Sequence, residues 1–252
     1  MHVNGMTIRR FASPASAAKA LAGHVARCLA ANPGLVLGLP TGRTPVPFYA
    51  ELVALFQAGR VGFSRAKTFN LDEFAGVPPD DPASYRGFME RHLFSHVDLA
   101  AGRIHFLNGV ASDTVAECRR YEQAIVRAGG LDLLLLGLGA NGHIGFNEPG
   151  ESLVAFTHKT RLTLATRRAN AALFRHRVGD VPREALSMGM RTILHARRII
   201  LLATGSTKAP AVRRLVRGPI TPRVPASFLQ LHRAVEVWID EAAGKRLSEG
   251  AE

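Results

Sequence analysis

The sequence predicts an α/β fold built on a mostly parallel sheet, and three observations carry that prediction. Residues 35–39 (LVLGL), 133–136 (LLLL) and 198–203 (RIILLA) are aliphatic runs with little polar alternation, as expected of strands covered on both faces. The first and third runs feed short polar loops that lead straight into helix-like patterns. The second feeds a glycine-rich loop carrying a histidine and a carboxylate, placed where open α/β sheets hold their ligands.

The elements follow in order. Residues 7–11 (TIRRF) read as a short edge strand. Ser13 and Pro14 form an N-cap and first helical position, and helical spacing runs through 17–31 until Asn32-Pro33-Gly34. The strand at 35–39 then enters a loop, 40–45, containing Thr41, Gly42, Arg43 and Thr44. A helix follows with Phe48, Leu52, Leu55 and Phe56 on one face. Hydroxyls, backbone N–H groups and a fixed positive charge at a helix start make an anion site. The plainer alternative is an ordinary N-cap at Thr44.

Residues 66–71 read as the next strand, ending at Asp72-Glu73. These carboxylates lie at a strand's carboxyl end or form an acidic turn before a helix at 83–95. Pro78 to Pro82 is a polar loop able to cover a site. A short strand is expected at 104–107 and a helix at 115–128. Next comes the central stretch, LDLLLLGLGANGHIGFNEPG (131–150). Its glycines at 137, 139, 142 and 145 permit tight turns and close approach to a ligand. Asn141, His143, Asn147 and Glu148 are set among them.

Beyond it, residues 167–178 are rich in arginine and alanine, and Pro182 breaks the pattern. Residues 185–194 read as a helix. The strand at 198–203 feeds Gly205-Ser206-Thr207-Lys208 and a helix at 209–217. That is a second anion site, with Lys208 as a point charge. It lacks the length and glycine spacing of a nucleotide-binding loop. Residues 226–231 and a strand at 235–239 close the fold. With no internal repeat, low-complexity tract or linker, one domain spanning 1–252 is expected.

Composition narrows the function. The net charge is +12 over 252 residues, but 27 of the 32 basic residues are arginine scattered through an alanine-rich chain. There is no RNA-binding aromatic motif, zinc finger or isolated basic helix, so no nucleic-acid partner is expected, and the charge suits steering of an anionic substrate. No apolar run approaches a membrane span, and MHVNGMTIRRFASP lacks the apolar core of a signal peptide. Cys28 and Cys118 fall in separate helical patterns and suggest neither a disulfide framework nor a metal pair, which suits the cytoplasm.

Several stretches together resemble one family: LGLPTGRTP (37–45), FNLDEFAGVP (69–78), SYRGFM (84–89), GLGANGHIGFNEPG (137–150), GSTKA (205–209) and SFLQLH (227–232). They are similar to glucosamine-6-phosphate deaminases, which are related in fold to 6-phosphogluconolactonases. Lactonases are expected to continue the Gly-His pair with Thr-Ala-Ser-Leu-Phe, whereas this chain reads GHIGFNEP. The resemblance implies a modified doubly wound, Rossmann-like sheet with helices on both faces. It implies conversion of an amino sugar 6-phosphate and water to fructose 6-phosphate and ammonia, without metal or nucleotide. Asp72 would move the proton between C2 and C1, and His143 would open the pyranose. Glu148 would pair with His143 and set its charge. Phosphate would lie against Thr41, Gly42, Arg43, Thr44 and Lys208. Glu73, Tyr85 and Gly139 are further candidates beside the substrate or its lid.

The departures are informative. Asn141 stands where many members carry an aspartate completing a relay to His143; it is expected to orient the imidazole by hydrogen bonding. Ala172 stands where many members place a phosphate-binding arginine, and Arg43 is expected to supply the missing charge, with Arg168 or Arg175 as the alternatives. At the positions that form the effector cluster of allosteric members the chain has Glu151, His158 and Thr160. A galactosamine-6-phosphate deaminase using the same groups, or a sugar-phosphate sensor without turnover, are the alternative readings. The oligomeric state, monomer or homo-oligomer, is left open.

Overall fold

The structure is a computed structural model that describes residues 1–247. In chain order the strands are β1 (His2–Val3), β2 (Met6–Phe11), β3 (Val36–Leu39), β4 (Lys67–Asn70), β5 (Asp72–Phe74) and β6 (Ile104–His105). They continue with β7 (Leu133–Gly137), β8 (His158–Arg161), β9 (Glu184–Ser187), β10 (Ile199–Ala203) and β11 (Val235–Asp240). The helices are α1 (Pro14–Ala31), α2 (Val46–Gln57), α3 (Tyr85–His92), α4 (Thr114–Arg127), α5 (Leu164–Asn170), α6 (Met190–Leu194), α7 (Ala209–Arg217) and α8 (Glu241–Gly244).

Eight strands form the main sheet in the order β1-β2-β11-β10-β7-β3-β4-β6, parallel throughout except for the antiparallel β1. The aliphatic runs explain it. Leu134 and Leu136 of β7 enter one core layer with Leu201 and Val212, while Leu133 and Leu135 enter the opposite layer with Leu21 and Phe48. With both faces buried, every position along β7 has to be apolar. From β3 the chain winds outward through β4 to β6, then returns to β7 and winds the other way through β10 to β11. The strand order therefore reverses between β3 and β7. The loops leaving their carboxyl ends diverge there, and open sheets of this kind bind ligands in that crevice.

The structure corrects several expectations. The strand at 7–11 is not the edge: β1 covers it through a hairpin whose turn, Asn4-Gly5, has φ values of 46° and 75°, as a two-residue primed turn requires. The expected strand at 66–71 is split, because Leu71 carries the chain out of the main sheet. Asp72 begins β5 of a second, antiparallel sheet, ordered β5-β9-β8. The expected helix at 185–194 is instead β9 followed by the single turn of α6. Pairing with β5 on one side and β8 on the other outweighs the helix propensity of Ala185, Leu186 and Met188. Gly189 then lets the chain pass where a Cβ would lie 2.2 Å from the Phe156 carbonyl oxygen. The helix expected over 83–95 stops at His92 and continues as a 3-10 turn. Among the described residues no helix is long and apolar enough to cross a membrane.

Candidate active site

Two loops at the carboxyl ends of the strands bring positive charge together. The loop after β3 turns at Gly42, whose φ of +94° is readily available only to glycine. The residue capping α2 is Pro45, with no side-chain cap bond, so Thr44 is not the helix cap. The loop after β10 turns at Gly205, whose N–H is held 3.0 and 3.1 Å from the two carboxylate oxygens of Asp240. Lys208 follows it, half-buried, while Arg43 is exposed. Burial, and secondarily the charge of Arg43, push the Lys208 ammonium below its ordinary value. Neither cation has a carboxylate within ion-pair distance among the described residues. Two converging, unneutralised cations from separate loops favour an anion between them.

Next to this cradle lie the two carboxylates that open the second sheet. Asp72 is 6% exposed, and burial, with the neighbouring Glu73 charge, lifts its carboxyl to about 8. Glu73 differs in its surroundings. Burial raises it too, but its oxygens accept the backbone N–H groups of Phe74, Tyr85 and Arg86 at 2.8–2.9 Å. Glu73 therefore ties the start of α3 to β5, and of the two carboxyls Asp72 is the better proton holder. The Tyr85 hydroxyl donates to the Asn170 side-chain oxygen at 2.9 Å. Burial first, then the Asp72 charge, raises that phenol well above its usual value, while a hydrogen bond with Thr41 pulls the other way. Tyr85 so stands between the loop after β3 and the carboxylate.

The loop after β7 supplies the third group. His143 Nδ1 faces Glu148 Oε2 at 3.6 Å and is buried without a hydrogen-bond partner. Burial would raise Glu148, but His143, then the hydroxyl of Thr166 and the amide of Asn141, outweigh it and hold the carboxyl at about 2. The pair is therefore an ionised carboxylate facing an imidazole nitrogen. Asn141 does not touch the ring as expected. Its amide donates to Glu148 Oε2 at 2.8 Å, and its oxygen accepts the His143 backbone N–H at 3.2 Å. Gly139 lies flat against the imidazole: a Cβ there would sit 2.4 Å from Cε1 and Nδ1. Gly145, at φ +55°, brings the same loop to within 3.7 Å of Asp72 Oδ2, measured from its would-be Cβ.

Thr41, Tyr85, Asp72 and the loop that carries Asn141, His143, Gly145 and Glu148 thus come together. Ala172, Arg168 and Arg175 are exposed beyond them. Sequence reasoning missed Thr166 and Asn170 of α5 and the supporting Asp240. The Thr163 N-cap of α5 is the one local signal that could have marked the helix. Among the described residues no group of three or more His, Cys, Asp and Glu side chains is arranged to hold a metal ion.

The model of the glucosamine-6-phosphate isomerases/6-phosphogluconolactonase family matches residues 10–238. A glucosamine-6-phosphate deaminase of Rhodopirellula baltica is 49% identical over 236 residues, 94% of each chain. One from Halothermothrix orenii is 49% identical over 216 residues, covering 86% of this chain and 89% of that one. Among solved structures, a monomeric glucosamine-6-phosphate deaminase superposes with a TM-score of 0.92 at 44% identity, covering 95% of this chain and 99% of that one. A 6-phosphogluconolactonase from Thermotoga maritima shares the fold at 20% identity and a TM-score of 0.72, over 93% of this chain and 99% of that one. The chain belongs to the glucosamine-6-phosphate isomerase/6-phosphogluconolactonase family.

Proposed function

We propose that the protein is a glucosamine-6-phosphate deaminase of the cytoplasm, converting glucosamine 6-phosphate and water to fructose 6-phosphate and ammonia. The observation that carries this reading is the buried Asp72 against the loop that holds the His143–Glu148 pair. Lactone hydrolysis moves no carbon-bound proton and has no use for such a carboxyl; an aldose–ketose conversion does. The Arg43–Lys208 cradle takes the 6-phosphate. His143 removes the proton of the anomeric hydroxyl and returns one to the ring oxygen, opening the pyranose. Ionised Asp72 takes the proton from C2, forming an enolamine, and delivers it to C1, leaving a 2-imine. Water adds to C2 and ammonia departs, giving the 2-ketose.

Incubation with glucosamine 6-phosphate is expected to release ammonia and fructose 6-phosphate in equal amounts. Binding without product would sink the reading in favour of a sensor, and turnover of galactosamine 6-phosphate alone would move it to the epimer.

Arg43→Ala is expected to raise KM more than tenfold with kcat little changed, since a charge-assisted hydrogen bond contributes roughly 1.5–3 kcal/mol. An unchanged KM would transfer that role to Arg168 or Arg175.

Activation by N-acetylglucosamine 6-phosphate is not expected. Glu151 is an exposed carboxylate. Burial lowers His158 despite its hydrogen bond to the Phe156 carbonyl, which leaves the ring neutral, and Thr160 carries no charge. A phosphorylated effector meets no cation from these three positions. Initial-rate curves are expected to stay hyperbolic and unmoved by that compound; a leftward shift would show an effector site.

A further inference from the structure

The His143–Glu148 contact is held from outside its own loop. At 3.6 Å it is just beyond hydrogen-bond reach, so the rotamer of Glu148 decides whether Nδ1 finds a partner during proton transfer. One carboxylate oxygen, Oε2, accepts the Asn141 amide at 2.8 Å and faces the ring. The other, Oε1, accepts the hydroxyl of Thr166, with the Thr163 hydroxyl 3.3 Å away. Thr166 is 3% exposed on α5, and Thr163 caps that helix by accepting the Thr166 N–H at 3.2 Å. One turn further on, Asn170 accepts from Tyr85 and donates to the Thr166 carbonyl at 2.9 Å. The hydroxyl is therefore fixed by a capped turn that is itself anchored to α3.

We propose that Thr166 is a positioning residue for the ring-opening histidine: its hydroxyl, opposite the Asn141 amide, fixes the Glu148 carboxylate in the rotamer that faces His143 Nδ1. The assignment rests on the deaminase reading for its catalytic meaning and on hydrogen-bond geometry for its structural one. The Thr166 hydroxyl meets Glu148 Oε1 and the Thr163 hydroxyl and makes no hydrogen bond to the imidazole, so its effect on His143 passes through Glu148. The hydroxyl is what matters, since a buried carboxylate that loses one of its donors turns towards another.

The test is a double-mutant cycle with a conservative control. Thr166→Val is expected to lower kcat about ten- to thirtyfold, the loss of one charge-assisted hydrogen bond, with KM within about twofold. Thr166→Ser, which keeps the hydroxyl, is expected within about threefold of the parent. In a Glu148→Gln background Thr166→Val is expected to cost less than about twofold, because its partner is already altered. Additive losses, or equal losses in the valine and serine variants, would show a merely structural role and overturn the assignment. If the parent itself released no ammonia, the deaminase reading would fail separately. The positioning would then be decided by the carbon-13 titration of the Glu148 carboxyl. Its midpoint, about 2 in the parent, is expected to rise by about half a pH unit or more in Thr166→Val and to stay put in Thr166→Ser. Identical midpoints in all three proteins would overturn the proposal.

Discussion

Asp72→Asn is expected to lower kcat by about 10²–10⁴-fold, the usual contribution of a positioned general base, and at the same time to make the protein more stable. Both effects come from one placement. The carboxyl is buried at the head of β5 next to Glu73, and its value of about 8 lies far above the ordinary 3.8. A base of that strength suits removal of a carbon-bound proton, but it is ionised in only a minority of molecules at neutral pH. The kcat/KM of the parent is therefore expected to climb with pH, approaching tenfold per unit, and to level off above about 8, reporting the free enzyme. A flat profile between about pH 6 and 8.5 would remove Asp72 from the role of base.

The stability consequence has a definite sign. Below about pH 4 folded and unfolded chains both hold the Asp72 proton, and asparagine brings no advantage. Between the ordinary value and about 8 the unfolded chain ionises while the folded one does not, so the parent progressively loses stability that the amide keeps. The melting temperature of Asp72→Asn should thus exceed that of the parent by a margin that widens from about pH 4 to 8 and is constant above. A variant less stable than the parent at alkaline pH would contradict the buried, proton-holding state. Glu73→Gln should differ by a loss present at every pH, because an amide nitrogen replaces an oxygen committed to backbone N–H groups, while the linkage from its raised carboxyl keeps the same sign as for Asp72.

How far the sequence can be read depends on where each residue finds its partner. β3, β7 and β10 were legible because burial on both faces imposes unbroken aliphatic runs. The cationic loops after β3 and β10 were legible separately, each with its own glycine and cation. Their convergence is tertiary, and shows only in the effect of Arg43 on Lys208. The second sheet was not legible. β8 reads HKTR, with no alternation to betray a strand, and β9 is composed of helix formers that pair only because β5 and β8 flank them. Asp72 was identified as a carboxylate at the end of a strand, but its strength as a base follows from burial in that unforeseen sheet. Thr166 lies 18 residues from Glu148, and Tyr85 lies 85 from Asn170. No periodicity connects positions so far apart.

Gly139→Ala is expected to lower kcat by about 10²-fold or more while leaving the fold intact, and it tests the ring opening proposed for His143 without touching that residue. Three imidazole atoms of His143 lie 2.4–2.5 Å from where the new methyl would stand, well inside van der Waals contact. Something has to move. Gly139 φ lies outside the left-handed region, so alanine puts no strain on the backbone. The loop is also closed by hydrogen bonds from Gly139 N–H to the His143 carbonyl at 2.9 Å and from Gly142 N–H to the Gly139 carbonyl at 3.0 Å. The ring is the part able to yield, by about 1 Å, and a displacement of that size at a reacting group is enough for a hundredfold loss. Moving the ring also disturbs its 3.6 Å approach to Glu148, so the damage falls on kcat more than on KM. Thermal melting and circular dichroism of Gly139→Ala should match the parent closely. A variant that keeps kcat within about threefold would mean that the imidazole works equally well when displaced, and His143 would lose its place as the group that opens the ring.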